Sequence, residues 1–364
     1  MPVARDLLIA LFSVMPPMDR DQKFMEMAFA EAEKVKGMTL PNPPVGAVMV
    51  KGDHIVAKGG TRPAGQAHAE IVALRRAGVN ARGATLYVTL EPCCHFGKTP
   101  PCTKAIIAAG IKRVVIACQD PNPKVSGKGI AALRRAGITT KVGVLQTRGQ
   151  WFYEGFFFYI THRRPKIILK IAQSQDGRIN ARAGVETRIT GAKAKVFSHG
   201  LRAQSDAVLI GGKTLRVDNP ALTPRLHPGS IPEALVLTRK HRFLAKYKLF
   251  SAKRVSKTTK VSLSPSLDSD KKKAHALIEL FQQKGYHMVL VEGGRSVWAP
   301  FLNSGLFDTL YLLTAPVLFP KGERWVSNLK PGWVKTLEFH RFTPFGPDIL
   351  AEFRNVYGHR TRKR

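Results

Sequence analysis

Cysteine is scarce in this chain: 364 residues hold only four, and three of them fall between positions 93 and 102. So few, so placed, exclude a disulfide framework and favour a reduced compartment with metal ligation, and a cytoplasmic location is expected. Acidic residues are also few, 25 against 58 Lys and Arg, which leaves a formal net charge of +33. Such a balance fits nucleic-acid binding, attraction of phosphorylated substrates, or a basic host proteome. The basic residues are spread throughout, which favours the last reading at least as much as the first. The N-terminal apolar run, Leu7 to Val14, is far short of the ~20 residues a membrane span requires. No membrane association is expected, and residues 1–17 are read as a loose extension or a mis-assigned start before Met18. Two phosphate-binding fingerprints are missing as well. No Gly-x-Gly-x-x-Gly follows an expected strand, and Gly211-Gly-Lys-Thr214 lacks the leading glycine of a P-loop, since position 207 is Ala.

What is present centres on Pro92-Cys-Cys-His-Phe-Gly-Lys-Thr-Pro-Pro-Cys102, read together with His68-Ala-Glu70. Cys93, Cys102 and His68 supply three donors that suit a tetrahedral zinc with its fourth position open for water. Glu70 can then take a proton from that water and pass it to a leaving amine. His-x-Glu followed by Pro-Cys and a second Cys is the general signature of zinc nucleobase deaminases, whose cysteines stand closer together than these. Residues two apart diverge by about 200° around an α-helix, so His68 and Glu70 reach one metal most easily from beyond a helix N-terminus. Cys102 immediately precedes a helical run, Thr103 to Ala109, where a helix start favours the thiolate. Cys94 and Cys118 are read as packing residues, with Cys94 the more reactive of the two.

The chain is long enough for two domains, and 44% hydrophobic content provides two cores. Asp19 or Asp21 caps an expected helix with Phe24, Ala28, Ala32 and Val35 on its apolar face and Gly37 as its stop. Strands are expected at about 84–90 and 112–117 with helices between, which gives a three-layer α/β domain with largely parallel strands. Ala-Leu-Arg-Arg-Ala-Gly at 73–78 and again at 132–137 reads as two amphipathic helix ends closed by glycine. A zinc domain at 18–147 is followed by a second domain at 148–364, with the aromatic run Trp151 to Ile160 as a buried connecting helix. Lys166 to Ala172 and Asp206 to Ile210 read as buried strands of the second domain. Val289-Leu-Val-Glu-Gly-Gly-Arg295 is a third, ending at a glycine turn of the kind that lets a backbone approach phosphates. Arg239 to Lys260 holds nine Lys and Arg and no acid, and reads as a solvated loop or insertion; the basic tail after His359 reads as frayed.

His68-Ala-Glu-Ile-Val-Ala-Leu74, the Leu90 to Cys102 segment and Asp120-Pro-Asn-Pro-Lys-Val-Ser-Gly-Lys-Gly129 resemble the deaminase half of the bifunctional riboflavin-biosynthesis deaminase/reductase family. Lys170-x-Ala-x-Ser-x-Asp-Gly177, Thr190-Gly191, Leu201-Arg-Ala203, Asp218-Asn-Pro-Ala-Leu-Thr-Pro-Arg225, Glu292-Gly-Gly294 and Thr314-Ala-Pro316 resemble its reductase half. The resemblance implies a cytidine-deaminase-like N-terminal domain and a dihydrofolate-reductase-like C-terminal one, a mostly parallel sheet with helices on both faces. It implies zinc-dependent hydrolytic deamination of 2,5-diamino-6-ribosylamino-4(3H)-pyrimidinone 5′-phosphate, then NADPH-dependent reduction of the ribosyl group to ribityl. One zinc per chain sits on His68, Cys93 and Cys102, with Glu70 catalytic. Asn42, Asp120 and Asn122 are implied as substrate contacts of the first domain, and Lys170, Arg202, Leu222, Arg225 and Glu292 of the second. Ala172, Arg188, Thr214, Asp218, Gly293, Gly294 and Arg295 are implied as NADPH contacts.

Several positions depart from the family pattern. Glu186-Thr-Arg-Ile-Thr190 stands where Ser-x-Trp-Ile-Thr is usual, so Arg188 replaces the Trp against the nicotinamide and Glu186 a substrate-contacting Ser. Gln175 replaces a Leu, and Thr61 a His seven residues before His68. The expected partner is a phosphorylated pyrimidine, with no nucleic acid, and a homo-oligomer is expected. Two rivals stand beside this reading: a deaminase with a degenerate reductase domain, and a nucleic-acid deaminase with a basic binding domain.

Overall fold

The computed structural model describes residues 18–227, 230–239, 246–250, 258–327 and 329–356. The N-terminal extension, the tail after position 356 and most of the basic block at 239–260 lie outside the described residues. Two compact units divide between Thr161 and His162.

In the first unit, helix α1 (Arg20–Val35) begins with a capping box. Asp19 accepts the Gln22 backbone N–H at 2.7 Å, and the Gln22 side chain accepts that of Asp19 at 2.9 Å. Strands β1 (Gly46–Lys51), β2 (His54–Gly60), β3 (Thr85–Leu90), β4 (Arg113–Cys118) and β5 (Thr139–Val142) form one sheet in the order β2-β1-β3-β4-β5. The expected parallel arrangement is corrected to a mixed one. β1 runs antiparallel to both β2 and β3, whereas β3, β4 and β5 are parallel. The short turn at Gly52 and Asp53 folds β2 straight back on β1, which only an antiparallel pair allows.

Glycines on alternate faces of this sheet bring the helices close. Gly46 and Gly60 lie on the face covered by α1, and a Cβ on Gly46 would meet the Ala28 carbonyl. Gly59 lies on the opposite face under α2 (Ala69–Ala77); a Cβ there would stand 2.5 Å from the Ala69 oxygen and 2.7 Å from the Ala73 nitrogen. Two more helices, α3 (Cys102–Ala108) and α4 (Lys128–Arg135), follow β3 and β4.

The aromatic run is a second correction. It forms two short helices, α5 (Gln146–Phe152) and α6 (Glu154–His162), rather than one connector. Phe152, Tyr153 and Phe156 belong to the first core, with Phe29 edge-on to Phe152 at 5.7 Å. The boundary therefore falls after Thr161 and not at the expected 147/148, because Phe152, Tyr153 and Phe156 are part of the first unit's core.

The second unit holds β6 (Lys166–Ser174), β7 (Ala207–Gly211), β8 (Glu233–Leu237), β9 (Thr258–Val261), β10 (Met288–Val291), β11 (Thr309–Ala315), β12 (Leu337–Phe345) and β13 (Asp348–Asn355). Their order is β12-β13-β11-β6-β10-β7-β8-β9, parallel from β11 to β9 and antiparallel for the last hairpin. Helices α7 (Ala192–Gln204), α8 (Gly212–Asp218), α9 (Asp270–Gln283) and α10 (Arg295–Ser304) connect the strands. The basic block is not wholly a solvated loop: Leu249 is buried, and Thr258–Val261 is the edge strand β9 on β8. Because β6, β10 and β7 are parallel neighbours, their carboxyl ends open on one side, where α/β sheets place ligands.

Two candidate active sites

His68 is the N-cap of α2, in extended backbone conformation, and Glu70 lies in that helix's first turn. Cys93 follows β3, and Cys102 is the first residue of α3 and fully buried. Packing α2 and α3 together closes the set: one ligand atom from each of His68, Cys93 and Cys102 lies within 4.8 Å of the others. His68 Nδ1 stands 3.3 Å from Cys102 Sγ and 3.6 Å from Cys93 Sγ, while Nε2 faces Thr99 Oγ1 at 3.5 Å. Thr99 thus orients the ring so that Nδ1 is the donor turned toward both thiols. The Cys102 backbone N–H donates to Cys93 Sγ at 3.3 Å, the charge-stabilising contact expected of a helix start. Contact with Cys102 and then with His68 holds the Cys93 thiol well below its ordinary range, against burial. The same contact and burial push Cys102 up. One borderline and two soft donors at this spacing fit a tetrahedral zinc with one open position.

Glu70 is 3% exposed, and burial pushes its carboxyl up to about 7. A carboxyl poised near neutrality can both accept and return a proton, as a shuttle requires.

The neighbouring loop carries Asp120 and Asn122, which shape it before they can serve a ligand. Asp120 Oδ1 accepts the Asn122 N–H at 2.8 Å, and Asn122 Oδ1 accepts the Lys124 N–H at 3.1 Å. Burial raises Asp120 to about 6, and the negative charges of Glu91 and Cys93 add to that effect. Asn42 lies on the loop entering β1 with its backbone tied to Thr39; no described contact joins its side chain to the His68 cluster. Thr61, standing in place of a His, is buried and its hydroxyl both accepts from and donates to the Val45 backbone. Burial raises the thiols of both Cys94 and Cys118, the latter to about 12, which fits packing roles.

Sequence reasoning missed Glu91. Its buried carboxylate accepts backbone N–H groups of Asp120 at 3.3 Å, Gly127 at 3.0 Å and Ile130 at 3.1 Å. The available signal was an acid between a buried strand and Pro92, a place where a carboxylate needs partners.

In the second unit, every reductase-half candidate lines one cavity of about 890 Å³. Lys170 and Ala172 come from β6, Arg202 from α7, and Thr214 and Asp218 from α8. Leu222 and Arg225 follow on the next loop, Arg188 precedes α7, and Glu292, Gly293, Gly294 and Arg295 form the turn into α10. Glu292 accepts two hydrogen bonds from Arg202, Nε at 2.9 Å and Nη2 at 2.5 Å. Burial alone would raise Glu292, but Arg202 and Lys170 outweigh it and hold its carboxyl below the ordinary range. Burial lowers the Lys170 ammonium although Glu292 opposes that shift. Leu222 is buried with φ at +52°, a conformation that costs a non-glycine residue roughly 1–3 kcal/mol and that collects at functional sites.

A cofactor with phosphates fits the turn. At Gly293 (φ +156°) a Cβ would stand 3.2 Å from the Thr214 side chain, and at Gly294 (φ +75°) 3.2 Å from its hydroxyl. Side chains there would fill the cradle. Arg188 and Glu186 are exposed on the cavity wall; burial raises Asp218 to about 6, and the Glu186 charge adds to it. A second missed residue is His199, a cavity-lining imidazole one turn before Arg202. Its Nδ1 accepts the Leu226 N–H at 3.2 Å, and burial, then Arg202 and Arg225, lower it to about 4, so it is neutral at pH 7.

Comparison with known proteins covers both units. Residues 18–118 match the cytidine and deoxycytidylate deaminase zinc-binding region, and residues 165–351 the RibD C-terminal domain. The riboflavin biosynthesis protein RibD of Aquifex aeolicus is 40% identical over 317 residues, 83% of this chain and 88% of the relative. That of Escherichia coli K12 is 34% identical over 365 residues, 91% and 98% respectively. Among solved structures, a diaminohydroxyphosphoribosylaminopyrimidine deaminase/5-amino-6-(5-phosphoribosylamino)uracil reductase from Thermotoga maritima superposes with a TM-score of 0.69 at 34% identity. It covers 92% of this chain and 98% of its own.

Proposed function

The chain belongs to the bifunctional riboflavin-biosynthesis deaminase/reductase family, and we propose that its two sites divide the two reactions between its two compact units. It is a deaminase and a reductase; the rivals, a lone deaminase and a nucleic-acid deaminase, leave the match over 165–351 without a purpose. Among the described residues no helix is long and apolar enough to cross a membrane.

In the first unit, one zinc per chain would be held by His68, Cys93 and Cys102. When bound, zinc supplies the Lewis acidity that makes water nucleophilic near neutral pH. Glu70 takes the water's proton as oxygen adds to the carbon bearing the 2-amino group, and returns it to that amine, which leaves as ammonia. Asp120, Asn122 and Asn42 are the groups proposed to hold the pyrimidine 5′-phosphate. The single observation that carries this assignment is the buried Glu70 carboxyl, raised to about 7, beside three converging ligands.

In the second unit NADPH would supply a hydride to the ribosyl carbon bonded to the amine of the deaminated product. The ring C–O bond at that carbon opens, its oxygen takes a proton from solvent, and the chain becomes ribityl. Thr214, Asp218, Ala172, Arg188, Arg295 and the Gly293-Gly294 turn would seat the cofactor. Lys170, Arg202, Leu222, Arg225 and Glu292 would seat the substrate, with the Arg202–Glu292 pair as a fixed wall and Lys170 beside it. Purified protein given the pre-deaminated substrate should oxidise NADPH, read as loss of the reduced nicotinamide's absorbance. Intact deamination without any NADPH oxidation would overturn the reductase assignment.

A further inference from the structure

Lys213, the lysine of Gly211-Gly-Lys-Thr214, has been given no role so far. It sits in the first turn of α8 beside Thr214 and lines the cavity, and its ammonium pairs with Glu323 Oε1 at 2.7 Å. Glu323 reaches this place from a distant segment that is firmly pinned. Its N–H donates to Asn180 Oδ1 at 2.8 Å, its carbonyl accepts the Ile179 N–H at 2.9 Å, and Arg178 donates to the Gly322 carbonyl at 2.6 Å. Gly322 is required for that approach, since a Cβ there would collide with the Asn180 carbonyl. The carboxylate is therefore presented to the cavity by a fixed bridge between residues 178 and 324. Its charge is felt by Arg295 as well as Lys213, the two cations flanking the Gly293-Gly294 turn.

We propose that Lys213 is a phosphate-binding residue of the reductase cavity and that Glu323 occupies it as an internal stand-in for a cofactor phosphate until the dinucleotide enters. The inference rests on the reading of this cavity as an NADPH site. Lys213, Arg295 and the glycine turn form a cationic end of the cavity, and Glu323, the acid paired with Lys213 there, has the charge sign of the ligand. The pair is built to yield. The Lys213 side chain is 58% exposed and that of Glu323 29%, and an ion pair in such surroundings contributes little to folding. A phosphate carries more charge and more acceptor oxygens than a carboxylate, so it displaces Glu323 from Lys213 at small cost. Glu323 in turn weakens cofactor binding, keeps the cations ordered in the free enzyme, and aids release of the oxidised dinucleotide.

The test is titration calorimetry of the full chain with NADPH and NADH, comparing wild type, E323Q, K213Q and the double variant, with melting temperatures as a check on folding. E323Q should bind NADPH roughly two- to fivefold more tightly, the reciprocal of a weak competing ion pair. K213Q should bind it on the order of tenfold more weakly, as a lost charged hydrogen bond does. The gain from E323Q should shrink in the K213Q background. A K213Q penalty confined to NADPH assigns the 2′-phosphate, and an equal penalty on NADH assigns the pyrophosphate; either supports the proposal. Binding by E323Q equal to or weaker than wild type, at unchanged melting temperature, overturns it, as does unchanged binding by K213Q. Absence of NADPH binding by a wild type that still deaminates would overturn the cofactor reading itself, and this inference with it.

Discussion

Gly59→Ala adds a single methyl group to β2, and its consequences follow from two distances. The new Cβ would lie 2.5 Å from the Ala69 oxygen and 2.7 Å from the Ala73 nitrogen, where ordinary contact begins at 3.4 Å. Both obstacles are backbone atoms of α2, so no rotamer change relieves them. The helix must retreat by about 3.4 − 2.5 = 0.9 Å. That helix carries His68 at its cap and Glu70 in its first turn. A displacement of ~1 Å in catalytic geometry costs about 10²-fold in rate, and overpacking costs ~1–3 kcal/mol in stability, or roughly 2–4 °C per kcal/mol for a unit of this size. The expected result is a deaminase kcat lower by about two orders of magnitude, weaker zinc retention and a modestly lower melting temperature, with NADPH oxidation on pre-deaminated substrate unchanged. Gly46→Ala is the control. It drives the opposite helix, α1, off the sheet and should lower stability at least as much, with far less effect on the kcat of the folded enzyme. Deaminase kcat in Gly59→Ala within about threefold of wild type would refute the claim that this contact sets the site, and so would equal kcat losses in both variants.

Three further predictions address the sites directly. Glu70→Gln should keep its zinc by elemental analysis yet lose deamination by ~10² or more, leaving reduction intact; Cys102→Ala should lose the metal where Cys94→Ala keeps it, and equal loss in both would mean the ligands are wrongly assigned. If Arg188 pairs with a cofactor phosphate, NADPH affinity should fall more steeply with salt in the wild type than in Arg188→Trp, whereas parallel slopes would leave stacking as its role.

The His68, Cys93 and Cys102 cluster was legible because its chemistry is written in short linear spacing. His68, Glu70 and Cys102 each sit at a helix start and Cys93 just after a buried strand, so local rules place them without knowledge of the fold. Asp19 capped its helix for the same reason. Glu91 and His199 were not legible, because their partners are backbone groups far along the chain or across a cavity. The domain boundary was misplaced because an aromatic run shows that it must be buried but not against which sheet. The reductase cavity came from resemblance rather than periodicity. Its strand order, and the approach of Glu323 to Lys213, arise only from tertiary pairing.

Glu91 also bears on how this enzyme can change over time. The residue that fastens the loop of Asp120 and Asn122 is separated only by Pro92 from Cys93, a proposed metal ligand. On the proposed assignment, metal retention and the wall of the pyrimidine pocket share one anchor. A substitution that rerouted this loop to admit a different base would loosen the zinc at the same stroke, and selection would meet both losses together. New substrate preferences are accordingly accessible through the side chains hung on the loop, while its path stays fixed by three backbone hydrogen bonds.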